Sequence, residues 1–523
     1  MSARLASTQV RLAEFRRNVE NGDMIYLGID SGTQSTKTIA LDLDSGDILA
    51  QAQETYSLID GLPNGHLEQH PSDWTEATAK TVQSVLFQLG DRKQEVRGIG
   101  VSGQQHGLVV LDEADHPVRA AKLWCDTSTA PQCDAMATHF GGQEAIIAKA
   151  GNAMLPGYTA PKILWLKENE PDNFAKTKSV LLPHDYLNFW LTDVKRMEYG
   201  DASGMAILDV RKRVWCDELI DHIDPRLREM LPPLGSSSEA HGTLKPSLAK
   251  EWGLTNEVIV SAGGGDNMMG AIGTGNVRAG VITASLGTSG TLFGSADAPV
   301  IDDQGEIAAF CDSTDQWMPL VCTMNVTVLT EKTRGLFAWE LPELEKNVAS
   351  ISPGADGLLF LPYLHGERTP NLPNGKAVLY GLTDENMTPA HMARAAMEGV
   401  TLGLGHGMQR FSDLGVSPTE IRLTGGGSKS LVWRQIMADA LGSATVCLQT
   451  AEGASLGAAL QAAACHTGGG NFDRSGLESL TSRIVAVDQA SRCEPHPEAQ
   501  AAYAEQRDRQ MKLTRELNAG GWL

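Results

Sequence analysis

Two distant segments of this chain share one grammar, and it constrains the fold more than any other feature of the sequence. In Gly28-Ile29-Asp30-Ser31-Gly32-Thr33-Gln34-Ser35-Thr36-Lys37, the apolar run Ile25–Asp30 meets a Gly/Ser/Thr turn and passes into a second run, Thr38–Leu43. In Ala284-Ser285-Leu286-Gly287-Thr288-Ser289-Gly290, the run Val281–Leu286 does the same before Thr291–Gly294. Each reads as strand, tight turn, strand. The N–H and hydroxyl groups of such turns can point at phosphate oxygens. The first is not a P-loop, which needs Gly directly before the Lys where Thr36 stands. One such turn is equally an ordinary hairpin. Two, each opening its own half of the chain, suggest a phosphate chain gripped from both sides of a cleft.

The surrounding pattern repeats as well. A turn at 44–47 leads to a third strand, Ile48–Gln53, and a helix follows from Pro71 to about Leu89 with Ser72 as N-cap. Strands are expected at Gly98–Ser102, Leu108–Leu111 and Glu257–Ser261, then a Gly263-Gly264-Gly265 corner and a helix from Asp266 to Ile272. In the second half a long amphipathic helix, Pro389–Phe411, carries Met392, Ala396, Val400 and Leu404 on one face. Strand Glu420–Thr424, a second triple-glycine corner and helix Leu431–Leu441 follow. Gly453–Cys465 reads as a helix of small residues, and Pro497–Leu517 as a polar helix. This is α/β grammar duplicated at domain scale rather than a short solenoid repeat. The 523 residues suit two large domains, or three. With a boundary around Gly273–Gly280, the division is an extension 1–23, a first domain 24–272, a second 273–465 and a helical tail 466–523.

Charge and cysteines exclude several function classes. The net charge of −21 is spread along the chain and repels nucleic acid and anionic lipid. A polyphosphate ligand would need local cations and backbone N–H groups to overcome that field. Eight cysteines stand without CxxC or zinc-ligand spacing, which reads as free thiols in a reducing cytoplasm. No apolar run approaches the ~20 residues that span a bilayer. Met1–Asp23 holds four arginines with Glu14, Glu20 and Asp23 and no apolar core, so it does not read as a secretory signal. It reads as a short amphipathic helix or a wrongly chosen start codon.

Four candidate elements carry chemistry besides the second turn. Asp30, ending a buried strand, suits Mg²⁺ held through waters. Gly263-Gly264-Gly265-Asp266-Asn267 puts a carboxylate near a helix N-terminus, where it is stabilised and can accept a hydroxyl proton. A plain Asp N-cap is the competing reading. Leu423-Thr424-Gly425-Gly426-Gly427-Ser428-Lys429-Ser430 lets a flat or anionic ligand approach the backbone closely. Neither it nor Gly273-Thr274-Gly275-Asn276-Val277-Arg278 fits the dinucleotide fingerprint. Ser102-Gly103-Gln104-Gln105-His106-Gly107 offers hydrogen-bond groups to a polyhydroxylated ligand, or is a hydrated hairpin.

In order along the chain, these pieces resemble the FGGY sugar kinases of the actin-like ATPase superfamily. Glu68-Gln69-His70-Pro71-Ser72-Asp73-Trp74 is similar to the family's E-Q-x-P-x-x-W stretch. The Ser102–Gly107 loop, Gly151-Asn152 through Gly157-Tyr158-Thr159-Ala160-Pro161-Lys162, Leu182-Pro183-His184-Asp185-Tyr186-Leu187 and Phe360–Pro370 (FLPYLHGERTP) are similar to segments of the members that phosphorylate ketopentoses. The resemblance runs from about Met24 to Cys465. It implies an α/β architecture of two actin-like (ribonuclease H-like) ATPase domains flanking a deep catalytic cleft. It implies Mg²⁺-dependent transfer of the ATP γ-phosphate to D-xylulose, with ribulose, gluconate or glycerol as the acceptors of other branches. Asp266 is implied as general base for the sugar 5-hydroxyl, and Asp30 as the residue near Mg²⁺ and the γ-phosphate. Gln105, His106, Asp266, Asn267 and Asp126 match sugar-contacting positions. Thr33, Lys37, Gly287 and Thr288 match the phosphate turns, and Gly426, Gly427 and Ser430 the adenosine motif. A cytoplasmic homodimer, with no nucleic acid or membrane partner, completes the implication. Two positions depart from the pattern: Ser128 stands where many relatives carry Arg, and Ser430 where Asn is common. A non-metabolic actin-like ATPase would have no use for the Ser102–Gly107 loop. A catalytically silent sugar-binding regulator would have no use for Asp266 and two phosphate turns.

Overall fold

The computed structural model describes residues 24–450 and 452–523, and the reading of Met1–Asp23 falls outside them. Two seven-stranded mixed sheets organise the chain. In the first, Ile25–Ser31 pairs antiparallel with Ser35–Asp42, which pairs antiparallel with Ile48–Thr55. On its other side Ile25–Ser31 runs parallel to Val96–Gly103, which runs parallel to Ile259–Ser261 and Gly264–Gly265. Ala240–Thr243 closes that edge antiparallel.

Strand alternation explains why Ile25–Ser31 is apolar almost throughout. Ile25, Leu27 and Ile29 face a core shared with Trp74, Val82 and Val85 of helix Pro71–Leu89. Tyr26 faces the opposite core, built with Leu456, Ala459 and Leu460 of helix Ala454–Thr467. That second helix is made of small residues because it lies directly on backbone. A Cβ at Gly28 would stand 1.9 Å from the Ser455 carbonyl oxygen, and one at Gly100 2.0 Å from that of Ala458. Helix Pro71–Leu89 begins at Pro71, with His70 at the cap position and no side-chain cap. Ser72, the expected N-cap, therefore lies inside the first turn, because proline's fixed φ and missing N–H suit the first helical position.

The second sheet repeats the plan. Val281–Leu286 pairs antiparallel with Gly290–Gly294, followed by Trp317–Thr323 and Ala308–Cys311. On its other side it runs parallel to Glu420–Thr424, then Thr445–Leu448. Helix Pro389–Asp413 covers it as Pro71–Leu89 covers the first sheet, burying Ala396, Val400 and Leu404 on the expected face. Residues 466–523 contain more than the expected helices. Val487–Cys493 adds an antiparallel edge strand to the second sheet. Its mixed sequence, half exposed, carries too little apolar alternation to announce a strand. Helix Pro497–Ala519 docks through Tyr503, whose hydroxyl donates to Glu398 at 2.7 Å. All eight cysteines are free. Among the described residues no helix is long and apolar enough to cross a membrane.

Candidate active site

Register places the chemistry. Across the parallel strands of the first sheet, Asp30 lies opposite Ser102 and Gly264 also lies opposite Ser102, so their C-terminal ends finish at one level. Open parallel sheets bind ligands at such carboxyl ends. The Ser102 hydroxyl donates to Asp30 at 2.8 Å. One residue beyond Gly265, Asp266 begins helix Asp266–Gly273 with Gly265 as its cap. Asp266 is thus not a capping residue, and its side chain is available to the cavity that it lines.

The Asp266 carboxylate accepts from the Asn267 N–H at 2.8 Å and from the Asn267 amide at 2.9 Å. The same amide donates to Gln105 Oε1 at 2.8 Å. Burial first, and then the negative charge of Asp30, push the Asp266 carboxyl up to about 7. Asp30 is raised too, by burial foremost and also by Glu452. Two carboxyls held near a cleft with raised affinity for positive charge can share a proton or a cation.

The Ser102–Gly107 loop is held from beneath. His106 adopts a left-handed backbone, φ 63°. Its carbonyl accepts from Lys162 Nζ at 2.7 Å and from the Thr159 hydroxyl at 3.1 Å. The ring packs on Tyr158 and Phe310, with centroids 4.9 and 5.5 Å away. Burial, reinforced by the Lys162 and Arg368 charges, holds this imidazole well below its ordinary pKa and hence neutral. Beside it the buried Gln105 Nε2 has no hydrogen-bond partner among the described residues. Buried polar groups are nearly always satisfied, so this amide is a donor awaiting a ligand oxygen.

These groups face a cavity of about 400 Å³, lined also by Ser285, Ser289 and Thr291 from the second phosphate turn. Trp124, another wall residue, donates its indole N–H to Thr33 at 3.0 Å and so ties the first phosphate turn to the cavity. The Glu68–Trp74 stretch is scaffolding. Gln69 donates to the Thr33 carbonyl at 2.6 Å and accepts from Trp74 and Gln104, each at 3.0 Å.

The structure distributes the remaining expected site residues unevenly. Lys37 pairs with Glu452 at the entry to helix Ala454–Thr467. The carbonyls of Gly287 and Thr288 each accept, at 2.9 Å, from the N–H groups of Thr327 and Val326. At the second glycine corner, a Cβ at Gly425 or Gly427 would come within 3 Å of Leu286, whereas Gly426 faces open space. The Ser430 hydroxyl caps helix Leu431–Leu441, accepting from the Trp433 N–H at 3.1 Å.

Asp126 lies apart from that cavity. It is fully buried and is absent from the cavity wall that Trp124 and Thr127 form beside it. One carboxylate oxygen accepts from the Leu67 N–H at 3.0 Å and from Lys122 Nζ at 3.1 Å, the other from the Ser128 hydroxyl at 2.5 Å. Burial opposes the charge, but Ser128, Leu67 and Lys122 together hold this carboxyl below its ordinary pKa. Lys122 is buried against Glu68, Asp126 and His66, the three side chains that together offer a metal-like ligand set, so an ammonium stands where a metal would. Arg368, Cys322 and Phe310 line the cavity and have no counterpart in the sequence-based assignment. Arg368 lies inside the FLPYLHGERTP segment, but nothing in that spacing tells which way its side chain turns.

Comparison with known proteins agrees with this geometry. The family model for the N-terminal domain of the FGGY family of carbohydrate kinases matches residues 25–273, and that for its C-terminal domain matches residues 282–465. The chain is 43% identical over 478 residues to the xylulose kinase of Haemophilus influenzae, spanning 90% of this chain and 96% of that protein. It is 35% identical to the xylulose kinase of Escherichia coli over 94% of this chain and 99% of that one. A solved structure of a xyloylose kinase from Brucella ovis superposes with a TM-score of 0.87 at 30% identity, covering 95% of this chain and 99% of that chain.

Proposed function

The chain belongs to the FGGY family of carbohydrate kinases, and within that family we propose the reaction D-xylulose + ATP → D-xylulose 5-phosphate + ADP. The observation that carries the reading is Asp266, a carboxyl raised to about 7 on the wall of a cavity that also receives the second phosphate turn. A general base works best with a pKa near the operating pH. As the sugar 5-hydroxyl attacks the γ-phosphorus, Asp266 takes its proton. The new P–O bond forms, the bond to the β–γ bridging oxygen breaks, and ADP leaves. Gln105, His106 and Asn267 orient the acceptor, and the neutral His106 ring makes no demand for an anion.

Phosphoryl transfer asks the protein chiefly to position donor and acceptor and to balance charge. Thr33, Lys37, Gly287 and Thr288 would cradle the phosphates, with Lys37 exchanging Glu452 for a phosphate oxygen. Gly426 and Gly427 would lie along the adenosine, as would Ser430, whose hydroxyl already caps a helix. Asp30 fits a divalent cation: among the described residues its carboxylate accepts only from Ser102 and forms no ion pair, and burial disfavours its charge. Mg²⁺ held there would neutralise phosphate charge in the transfer. Closure of the two halves would exclude water, the competing acceptor.

ADP release measured over a panel of D-xylulose, ribulose, gluconate and glycerol tests the reading. D-Xylulose gives the highest kcat/KM if it holds, and no more ADP than the sugar-free blank if it fails. Eight free cysteines support a cytoplasmic setting. The family resemblance also supports a homodimer, which light scattering of the purified chain checks directly.

A further inference from the structure

Arg368 is a charged group whose neighbouring acid, Glu367, feels its charge without forming an ion pair with it among the described residues. It lies on the cavity wall. Arg119, Arg394 and Arg410 hold the carboxylates of Glu68, Glu398 and Asp302, and the half-buried Arg213 donates to the Asp315 and Gln316 carbonyls. Among the described residues the Arg368 guanidinium forms no ion pair. It reaches only the Cys322 thiol, at 3.9 Å, and the Trp124 ring, at 5.9 Å. The adjacent Glu367 does not serve it, because that carboxylate accepts from the Met324 N–H at 2.6 Å, the Arg368 N–H at 2.9 Å and Asn325 at 3.3 Å.

The surroundings keep the guanidinium in place. A Cβ at Gly157 would come within 3.1 Å of Arg368 Nη2, so only glycine there leaves the space free. Arg368 lines one cavity with His106, Tyr158, Cys322 and Glu367, and its charge acts on all four. Asp266, by contrast, answers chiefly to burial, to Asp30 and to Asn267. The two groups hold different neighbours on one cavity, Asp266 bonding to Asn267 and through it to Gln105, Arg368 lying against Cys322 and Trp124, while the charge of each acts on Cys322.

We propose that Arg368 is a specificity-determining residue that donates to the oxygens at the end of the ketose remote from the attacking hydroxyl. This rests on the reading of the reaction given above. With the 5-hydroxyl at Asp266, the other end is an α-hydroxyketone, whose carbonyl and hydroxyl oxygens stand side by side. A planar guanidinium presents N–H donors in a fixed fork that suits two adjacent acceptors, where a lysine would give one point contact. Arg368 comes from the second half of the chain and Asp266 from the first, so an acceptor held at both ends also ties the halves together.

The test uses the full chain at saturating Mg-ATP, with D-xylulose and 1-deoxy-D-xylulose as acceptors. Hydrogen bonds to a charged group predict that Arg368→Met raises the KM for D-xylulose about 10- to 100-fold. Arg368→Lys falls between that variant and wild type, and the KM for ATP moves less than threefold in both. Wild type prefers D-xylulose over its 1-deoxy analogue, and Arg368→Met treats the two alike within about twofold, since the donor for the missing hydroxyl is gone. A merely structural arginine would not erase that preference. The inference is overturned if Arg368→Met retains the wild-type preference, or if its KM for D-xylulose stays within twofold. If Arg368→Met does not fold, as judged by its thermal midpoint, Arg368→Lys decides by the same ratio. Should wild type turn over another panel sugar and not D-xylulose, the reading of the reaction fails on that assay alone. Arg368 is then judged on the sugar accepted, and an unchanged KM overturns it there as well.

Discussion

The two sheets are built to one plan and differ in what their strand ends present. In the first, Gly32-Thr33 follow Asp30, and the corner after the last glycine yields Asp266. In the second, the corresponding Gly287-Thr288 follow Ser285, and the corner after Glu420–Thr424 is Gly425-Gly426-Gly427 with no carboxylate. One half offers acids that can take a proton or a cation. At its strand ends the other offers N–H groups, hydroxyls and open backbone, which tolerate a polyphosphate without like-charge repulsion, while its acids on the cavity wall, Glu306 and Glu367, come from outside those ends. A duplicated scaffold thus divides labour by the residues at a few strand ends, while the packing behind them stays alike.

Removing the acid side should have the largest effect. Asp266→Ala is expected to lower kcat by about 10²–10⁴-fold, the usual worth of a general base, while ADP still binds as measured by calorimetry. Near-normal turnover would take Asp266 out of the mechanism and with it the contrast between the halves. Next in size, His106→Ala should raise the sugar KM about tenfold or more and the ATP KM far less. Equal shifts in both would count against a sugar role for the Ser102–Gly107 loop. Copying the acid into the other half sharpens the comparison. Ser285→Asp puts a carboxylate where the second sheet has none and should raise the ATP KM by about tenfold through like-charge repulsion. An unchanged KM would mean that the phosphates do not pass Ser285.

The smallest expected effect is on the pH profile. Asp266 works as carboxylate and is held up to about 7, so its active form dominates above that value and is lost below it. A rate limited by this base should fall roughly fivefold between pH 7 and pH 6. A flat kcat/KM over that interval would assign the proton transfer elsewhere.

Where turn chemistry and periodicity are strong, the fold was legible. The hairpins at Gly32-Thr33 and Gly287-Thr288, the helices Pro71–Leu89 and Pro389–Asp413, and the glycine corners were all visible as local patterns. Ala308–Cys311, Trp317–Thr323 and Val487–Cys493 were not read, the last because an edge strand half open to solvent needs little apolar alternation. Of the expected sugar-site residues, Gln105, His106, Asp266 and Asn267 meet on one cavity, and Asp126 does not.

Sequence by itself determined the local backbone: where glycine must turn, where proline opens a helix, and which strand ends carry an acid. Only the tertiary structure decided which charges were answered. Asp126 has Lys122 four residues away and disappears into an ion pair. Arg368 stands next to Glu367 in the chain and still faces the cavity without a carboxylate partner among the described residues. Burial and Coulomb interaction act through space, so the fate of each charge is set by distances that no order of residues states.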